Sequence, residues 1–156
     1  MGSGFRAFGI DAFRRIGEGR PKRFNIFMSH LHWDHIMGFP FCGPAYDPET
    51  EINFYGGHAD MEKALRRQQE TISFPVPFDF MAAKINFHPL TPGETYEVAG
   101  HSVQLIRQYH DNDSYGYRFE KGGKCVVYST DSEHKDDDPD ADQAFVEFFD
   151  KADLVV

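Results

Sequence analysis

Three apolar runs in this chain stop at residues of the kind that bind metal ions, and this pattern constrains the fold more than any other feature. Phe24-Asn25-Ile26-Phe27-Met28 runs into Ser29-His30-Leu31-His32-Trp33-Asp34-His35. Val103-Gln104-Leu105-Ile106-Arg107-Gln108-Tyr109 runs into His110, and Cys125-Val126-Val127-Tyr128-Ser129 is closely followed by Asp131. Short apolar or alternating runs bounded by polar residues read as strands. Strands that end at one edge of a sheet can bring the residues at their ends to one cleft.

The rest of the chain fits helices between strands. Phe5 to Ile16 carries apolar residues at 5, 8, 12, 13 and 16, a helical spacing that the segment Gly17-Glu18-Gly19-Arg20-Pro21 ends. His30 to Phe39 reads as a loop entering a short helix stopped by Pro40, and Phe41 to Thr50 as a loop. Strands are expected at Glu51–Tyr55, Lys84–His88, Thr95–Val98 and Ser102–Tyr109. Tyr115–Glu120 and Cys125–Ser129 form a hairpin about the turn Lys121-Gly122-Gly123-Lys124. Helices are expected at His58–Gln69 and Asp142–Phe149, with a last strand opening at Leu154. The order predicts one α/β (α+β) domain over residues 1–156, with a sheet at least partly covered by helices.

Composition narrows the partners. With 16 Lys and Arg against 25 Asp and Glu the net charge is −9, and no basic cluster exceeds a doublet. That argues against an extended nucleic-acid platform but not against a small anionic substrate, because a bound cation reverses the local sign. The two cysteines, Cys42 and Cys125, are far apart and read as buried reduced thiols in a cytoplasmic protein. No run is long and apolar enough to span a membrane.

If the chain leaves Met28 still extended, His30 and His32 point to one side and can grip one ion, while Asp34 and His35 follow as the chain turns and face a second point nearby. Neutral imidazole and carboxylate suit zinc first, with manganese or iron as alternatives. His110 and Asp131 add ligands from two further strand ends, and a carboxylate at 131 has two oxygens with which to bridge. His58, His88 and His101 read as ordinary turn or helix-start residues, and Asp136-Asp137-Asp138 as a solvated face.

His30-Leu31-His32-Trp33-Asp34-His35 matches the His-x-His-x-Asp-His signature, and the chain resembles the metallo-β-lactamase superfamily. The segments at 32–41 (HWDHIMGFPF), 114–120 (SYGYRFE) and 126–134 (VVYSTDSEH) resemble its ribonuclease Z-like and cyclic-nucleotide phosphodiesterase branch. The resemblance implies an αβ/βα sandwich, expected here to be incomplete at both termini. It implies His30, His32 and His110 on one ion, Asp34 and His35 on the other, and Asp131 bridging. The implied reaction is phosphodiester hydrolysis by a metal-bridging hydroxide. Asp34 would orient the attacking oxygen and His134, or water, would protonate the leaving oxygen. The expected substrate is a small phosphodiester such as a cyclic nucleotide. A ribonuclease Z-like 3′-processing nuclease, a truncated non-catalytic metal-binding copy, and a thioester or lactam hydrolase are the alternatives. Uncovered sheet edges would favour a homo-oligomer. One departure from the branch stands beside the third ligand: where the branch has Asn-His-Pro-Gly-Gly, this chain has Tyr109-His110-Asp111-Asn112-Asp113.

Overall fold

The computed structural model describes residues 1–17, 19, 22–133 and 139–156. His134 and Asp136-Asp137-Asp138 lie outside the described residues, as does part of the expected stop of the first helix. The chain divides into two compact units, Met1–His88 and Pro89–Val156.

The first unit starts with α1 (Gly4–Gly17), followed by β1 (Arg23–Met28) and the short α2 (Trp33–Ile36). After two 3₁₀ turns, Phe39–Phe41 and Gly43–Tyr46, come β2 (Glu51–Gly56), α3 (Met61–Gln68), a further 3₁₀ turn and β3 (Lys84–Pro89). The strands form one sheet in the order β1-β2-β3, with β1 parallel to β2 and Phe24, Ile26 and Met28 opposite Ile52, Phe54 and Gly56. Alternation sorts this sheet into two faces. On one, Met28, Ile52 and Phe54 join Met61 and Leu65 of α3, Phe39 and Phe78 in the core, with Phe39 edge-on to Phe54 at 5.0 Å. On the other, side chains line up in rows. Phe27 stacks on Tyr55 at 5.0 Å and Tyr55 on His88 at 4.7 Å, while Asn86 donates to Asn53 at 2.9 Å. His88 is thus the end of an aromatic row rather than a turn residue. The helix expected from His58 begins three residues later, with Asp60 at its N-cap position.

α1 has the expected extent, but its apolar stripe is only partly covered: Ala12 is buried, whereas Phe8 is 43 % and Phe13 52 % exposed. The N-terminal residues pack on the turn after α2. The Gly38 N–H donates to the Met1 carbonyl at 2.9 Å, and a Cβ at Gly38 would lie 2.2 Å from the Gly2 carbonyl oxygen, so only glycine fits there.

The second unit is a sheet in the order β4-β5-β6-β7-β8: β4 (Thr95–Val98), β5 (His101–Gln108), β6 (Ser114–Lys121), β7 (Lys124–Tyr128) and β8 (Leu154–Val155). The first four strands form an antiparallel meander joined by short connections, and the expected hairpin is present with Lys121 opposite Lys124. α4 (Pro139–Phe149) then carries the chain to β8, which runs parallel to β7. Val103, Leu105, Tyr117 and Val127 are fully buried. Arg118 donates to the carbonyls of Phe148 at 2.9 Å and Asp150 at 2.8 Å, placing a cation on the carbonyl end of α4. Asp153 accepts from the Cys125 N–H at 2.8 Å and from Lys124 at 2.6 Å, which pins the chain entering β8 to the start of β7.

Candidate metal centre

In the first unit the site grows out of β1. The chain remains extended beyond the strand, since His32 at the N-cap of α2 has φ −62° and ψ 149°. His30 and His32 therefore leave on related sides, and their ring centroids are 4.6 Å apart. The turn of α2 then swings His35 back, so that its ring centroid lies 4.1 Å from that of His30. His30 is only 1 % exposed, and Ser29 Oγ stands 3.2 Å from its Nδ1. Asp34, in contrast, is 74 % exposed and reaches back to His35, with Oδ2 3.4 Å from Nε2. The sequence places the 30/32 and 34/35 pairs at two nearby points; His35 lies beside His30, and Asp34 approaches His35 from a largely exposed position.

In the second unit two strand ends carry the remaining candidates. His110 follows β5 and Asp131 follows β7, and β6 lies between these strands. Gln108, with no exposed surface, bridges the gap: its side-chain amide donates to Ser129 Oγ, and its own carbonyl oxygen accepts from Ser114 Oγ at 3.4 Å. The Thr130 carbonyl lies 3.0 Å from the same hydroxyl, whose one hydrogen is shared between the two acceptors. The side chain passes β6 at Gly116, where a Cβ would lie 3.1 Å from Gln108 Nε2. A buried, mutually satisfied network of this kind fixes geometry, and here it ties the backbone two residues before His110 to the backbone two residues before Asp131. Beyond His110 the chain turns through Asn112 and Asp113, both with φ +60°, at the place where the resemblance leads one to expect Gly-Gly. Arg107 holds that turn through Asp113 at 2.8 Å. Asp131 also has positive φ, +50°. Non-glycine residues in this region are uncommon and gather at functional sites.

Two residues of the centre escaped the sequence reading. Gln108 looked like one more polar position on an alternating strand. Glu133 lies beside His110, with Oε1 3.2 Å from His110 Nδ1. A polar residue at the inward end of a buried strand was the available signal for the first, and none existed for the second, whose partner is distant in sequence.

The donor chemistry fits a divalent cation. His30 offers ligand atoms within 4.8 Å of those of both His32 and His35, a span that small side-chain shifts close to the donor separations of a shared ion. In the second unit, His110 and Asp131 offer an imidazole and a carboxylate, donor types that such ions take. The thiols are not candidates: burial pushes Cys42 up to about 11 and raises Cys125, and both are unpaired by disulfides. No described helix is long and apolar enough to cross a membrane.

A family model, the beta-lactamase superfamily domain, matches residues 10–156. Ribonuclease Z of Acaryochloris marina is 31 % identical over 113 residues, which cover 68 % of this chain and 33 % of that protein. Among solved structures, the short form of human tRNase Z matches with a TM-score of 0.61 at 19 % identity, over 84 % of this chain and 56 % of that one. The metallo-β-lactamase fold protein YhfI of Bacillus subtilis matches with a TM-score of 0.59 at 22 % identity, over 84 % and 47 %. The chain spans about a third of the length of the curated relatives it matches. Its α+β fold matches the family's αβ/βα sandwich, and the chain belongs to the metallo-β-lactamase superfamily, related to its ribonuclease Z-like and phosphodiesterase branch.

Proposed function

We propose that this chain belongs to a metal-dependent phosphodiester hydrolase acting on a small phosphodiester such as a cyclic nucleotide. The observation that carries the reading is the imidazole cluster of His30, His32 and His35 behind β1. In this reading, which the family signature implies, His30, His32 and His110 would hold one divalent ion, Asp34 and His35 a second, and Asp131 would be shared by both, with zinc the first choice. Within the first unit, His30 supports it, with ligand atoms within 4.8 Å of those of His32 and of His35. Divalent ions, when bound, supply Lewis acidity toward the attacking water and offset the charge that develops on the phosphate oxygens. Asp34, at the rim beside His35, takes the proton of the attacking water and orients it. The leaving oxygen draws its proton from solvent or from His134. Trp33, 67 % exposed between His32 and Asp34, offers an aromatic face for a nucleobase.

The net charge of −9 favours a small substrate over a long polyanion. The curated relatives named ribonuclease Z support a second reading, a 3′-processing nuclease for transfer RNA. Self-association through the exposed Phe8 and Phe13 of α1 and a cytoplasmic location are part of the proposal.

Metal analysis of the purified chain beside hydrolysis of bis(p-nitrophenyl) phosphate, a cyclic-nucleotide panel and a precursor transfer RNA tests it. The expected result is about two metals per chain, chelator-sensitive turnover of a cyclic nucleotide, and a loss of about a hundredfold or more in kcat for Asp34→Ala and Asp131→Ala. Asp137→Ala, in the acidic run, is the control. Turnover of transfer RNA alone selects the second reading, and bound metal with no turnover selects a non-catalytic copy.

A further inference from the structure

We propose that Glu133 is a positioning residue for His110: it accepts a hydrogen bond from Nδ1–H and so commits the lone pair of Nε2 to the metal. The proposal rests on the metal-dependent reading above. His110 Nδ1 lies 3.2 Å from Glu133 Oε1. An ionised carboxylate has only acceptor sites, so this contact is a hydrogen bond only when Nδ1 carries the hydrogen. In a neutral ring the other nitrogen then keeps its lone pair, which is the pair a metal takes.

The backbone places the carboxylate. Glu133 forms an antiparallel bridge with Tyr109, the residue before His110, and its N–H donates to the Tyr109 carbonyl at 2.8 Å. Glu133 is thus fastened alongside the imidazole it faces. Stability is not a sufficient reason for the contact. The Glu133 side chain is 69 % exposed and that of His110 21 %, and exposed ionic contacts contribute little to folding. What the contact does determine is which nitrogen bears the hydrogen and which way the ring faces. Together with the Gln108 network, which sets the height of the β5 end, it leaves His110 one tautomer and one direction.

The test uses the full chain, metal-free and labelled with ¹⁵N at histidine, at a pH where the ring is neutral. Long-range ¹H–¹⁵N correlations report which nitrogen of His110 is protonated. The wild-type chain should show Nδ1–H. Glu133→Ala should shift the ring toward Nε2–H, and Glu133→Gln, whose amide oxygen still accepts, should keep Nδ1–H. In competition with a chromophoric chelator, Glu133→Ala should bind zinc about 10–100-fold more weakly, with Glu133→Gln close to wild type. Circular dichroism checks that each variant is folded, and if Glu133→Ala is not, the wild-type tautomer decides. Nε2–H in the wild-type chain, or a Glu133→Ala variant unchanged in both tautomer and zinc affinity, overturns the proposal. Failure of the metal-dependent reading looks different: a wild-type chain with Nδ1–H on His110 that takes up no zinc in the same titration.

Discussion

Replacing Gly116 with alanine should loosen the second unit through a side chain on another strand. The new Cβ would meet Gln108 Nε2 at 3.1 Å, Ile106 Cγ2 at 3.2 Å and Gln108 Cδ at 3.3 Å. Each approach requires the neighbour to yield by a few tenths of an ångström. Gln108 cannot do so and keep its partners, because it is fully buried and bonded to both Ser129 and Ser114. Losing those two neutral hydrogen bonds costs about 1 kcal/mol each, and overpacking adds about 1–3 kcal/mol. The lower backbone entropy of alanine in the unfolded chain offsets about 0.5–1 kcal/mol. The net destabilisation is about 2–4 kcal/mol, or a fall in Tm of roughly 5–15 °C for a chain of this size. Thermal unfolding followed by circular dichroism measures it, and the informative comparison is Gly116→Ala in a Gln108→Ala background. There the crowded side chain is gone, so the alanine should be neutral or slightly stabilising, and the two substitutions should be strongly non-additive. If Gly116→Ala costs the same in both backgrounds, the crossing of Gln108 over Gly116 is not what the glycine serves.

The remaining predictions concern the first-unit histidines and two places outside the centre. His30→Ala and His32→Ala should each lower bound metal and, in the metal-loaded chain, Tm together, as elemental analysis and melting of the same samples will show; unchanged stoichiometry in both would remove the assignment. Ala99→Asn should raise Tm by a few degrees, because Ala99 has φ +52° beside Gly100 at +73° and Asn-Gly suits a two-residue hairpin turn with both φ values positive. An unchanged or lower Tm would contradict this. Lys124 and then the Cys125 N–H hold the Asp153 carboxyl below the usual carboxylate range. A depressed folded-state pKa contributes stability that is present above the unfolded value of about 3.9 and lost as pH falls through the folded value. The stability gap between wild type and Asp153→Asn should therefore close as the pH is lowered below about 4; a gap that persists to full protonation would refute the ion pair as its source.

What could be read from the sequence was local. His30, His32 and His35 were legible because a strand followed by a single helical turn brings neighbours in sequence together, and the 115–129 hairpin because its turn residues admit few alternatives. The contrast between Asp34 and His35 was not, since the single turn of α2 leaves the His35 ring beside His30 while Asp34, still within 3.4 Å of His35, stays largely exposed. Gln108 and Glu133 were hidden for another reason. Their importance comes from Ser129 and His110, each more than twenty residues away, and no periodicity records a contact of that range. The positive φ values at Asn112 and Asp113 show the opposite case: the resemblance marks a place where glycine is usual, and this chain makes the turn without it, secured by Arg107.

The meander of β4 to β7 has an implication for the order of events during synthesis. Its strands are neighbours in sequence, so the loops closed in pairing them are short, and such sheets assemble early. β8 joins only after α4 has been made, through a parallel pairing to β7. The Gln108–Ser129 link lies entirely within the early part. The strand ends that carry His110 and Asp131 can therefore be locked together on a nascent chain before α4 leaves the ribosome, while the last strand is still to come.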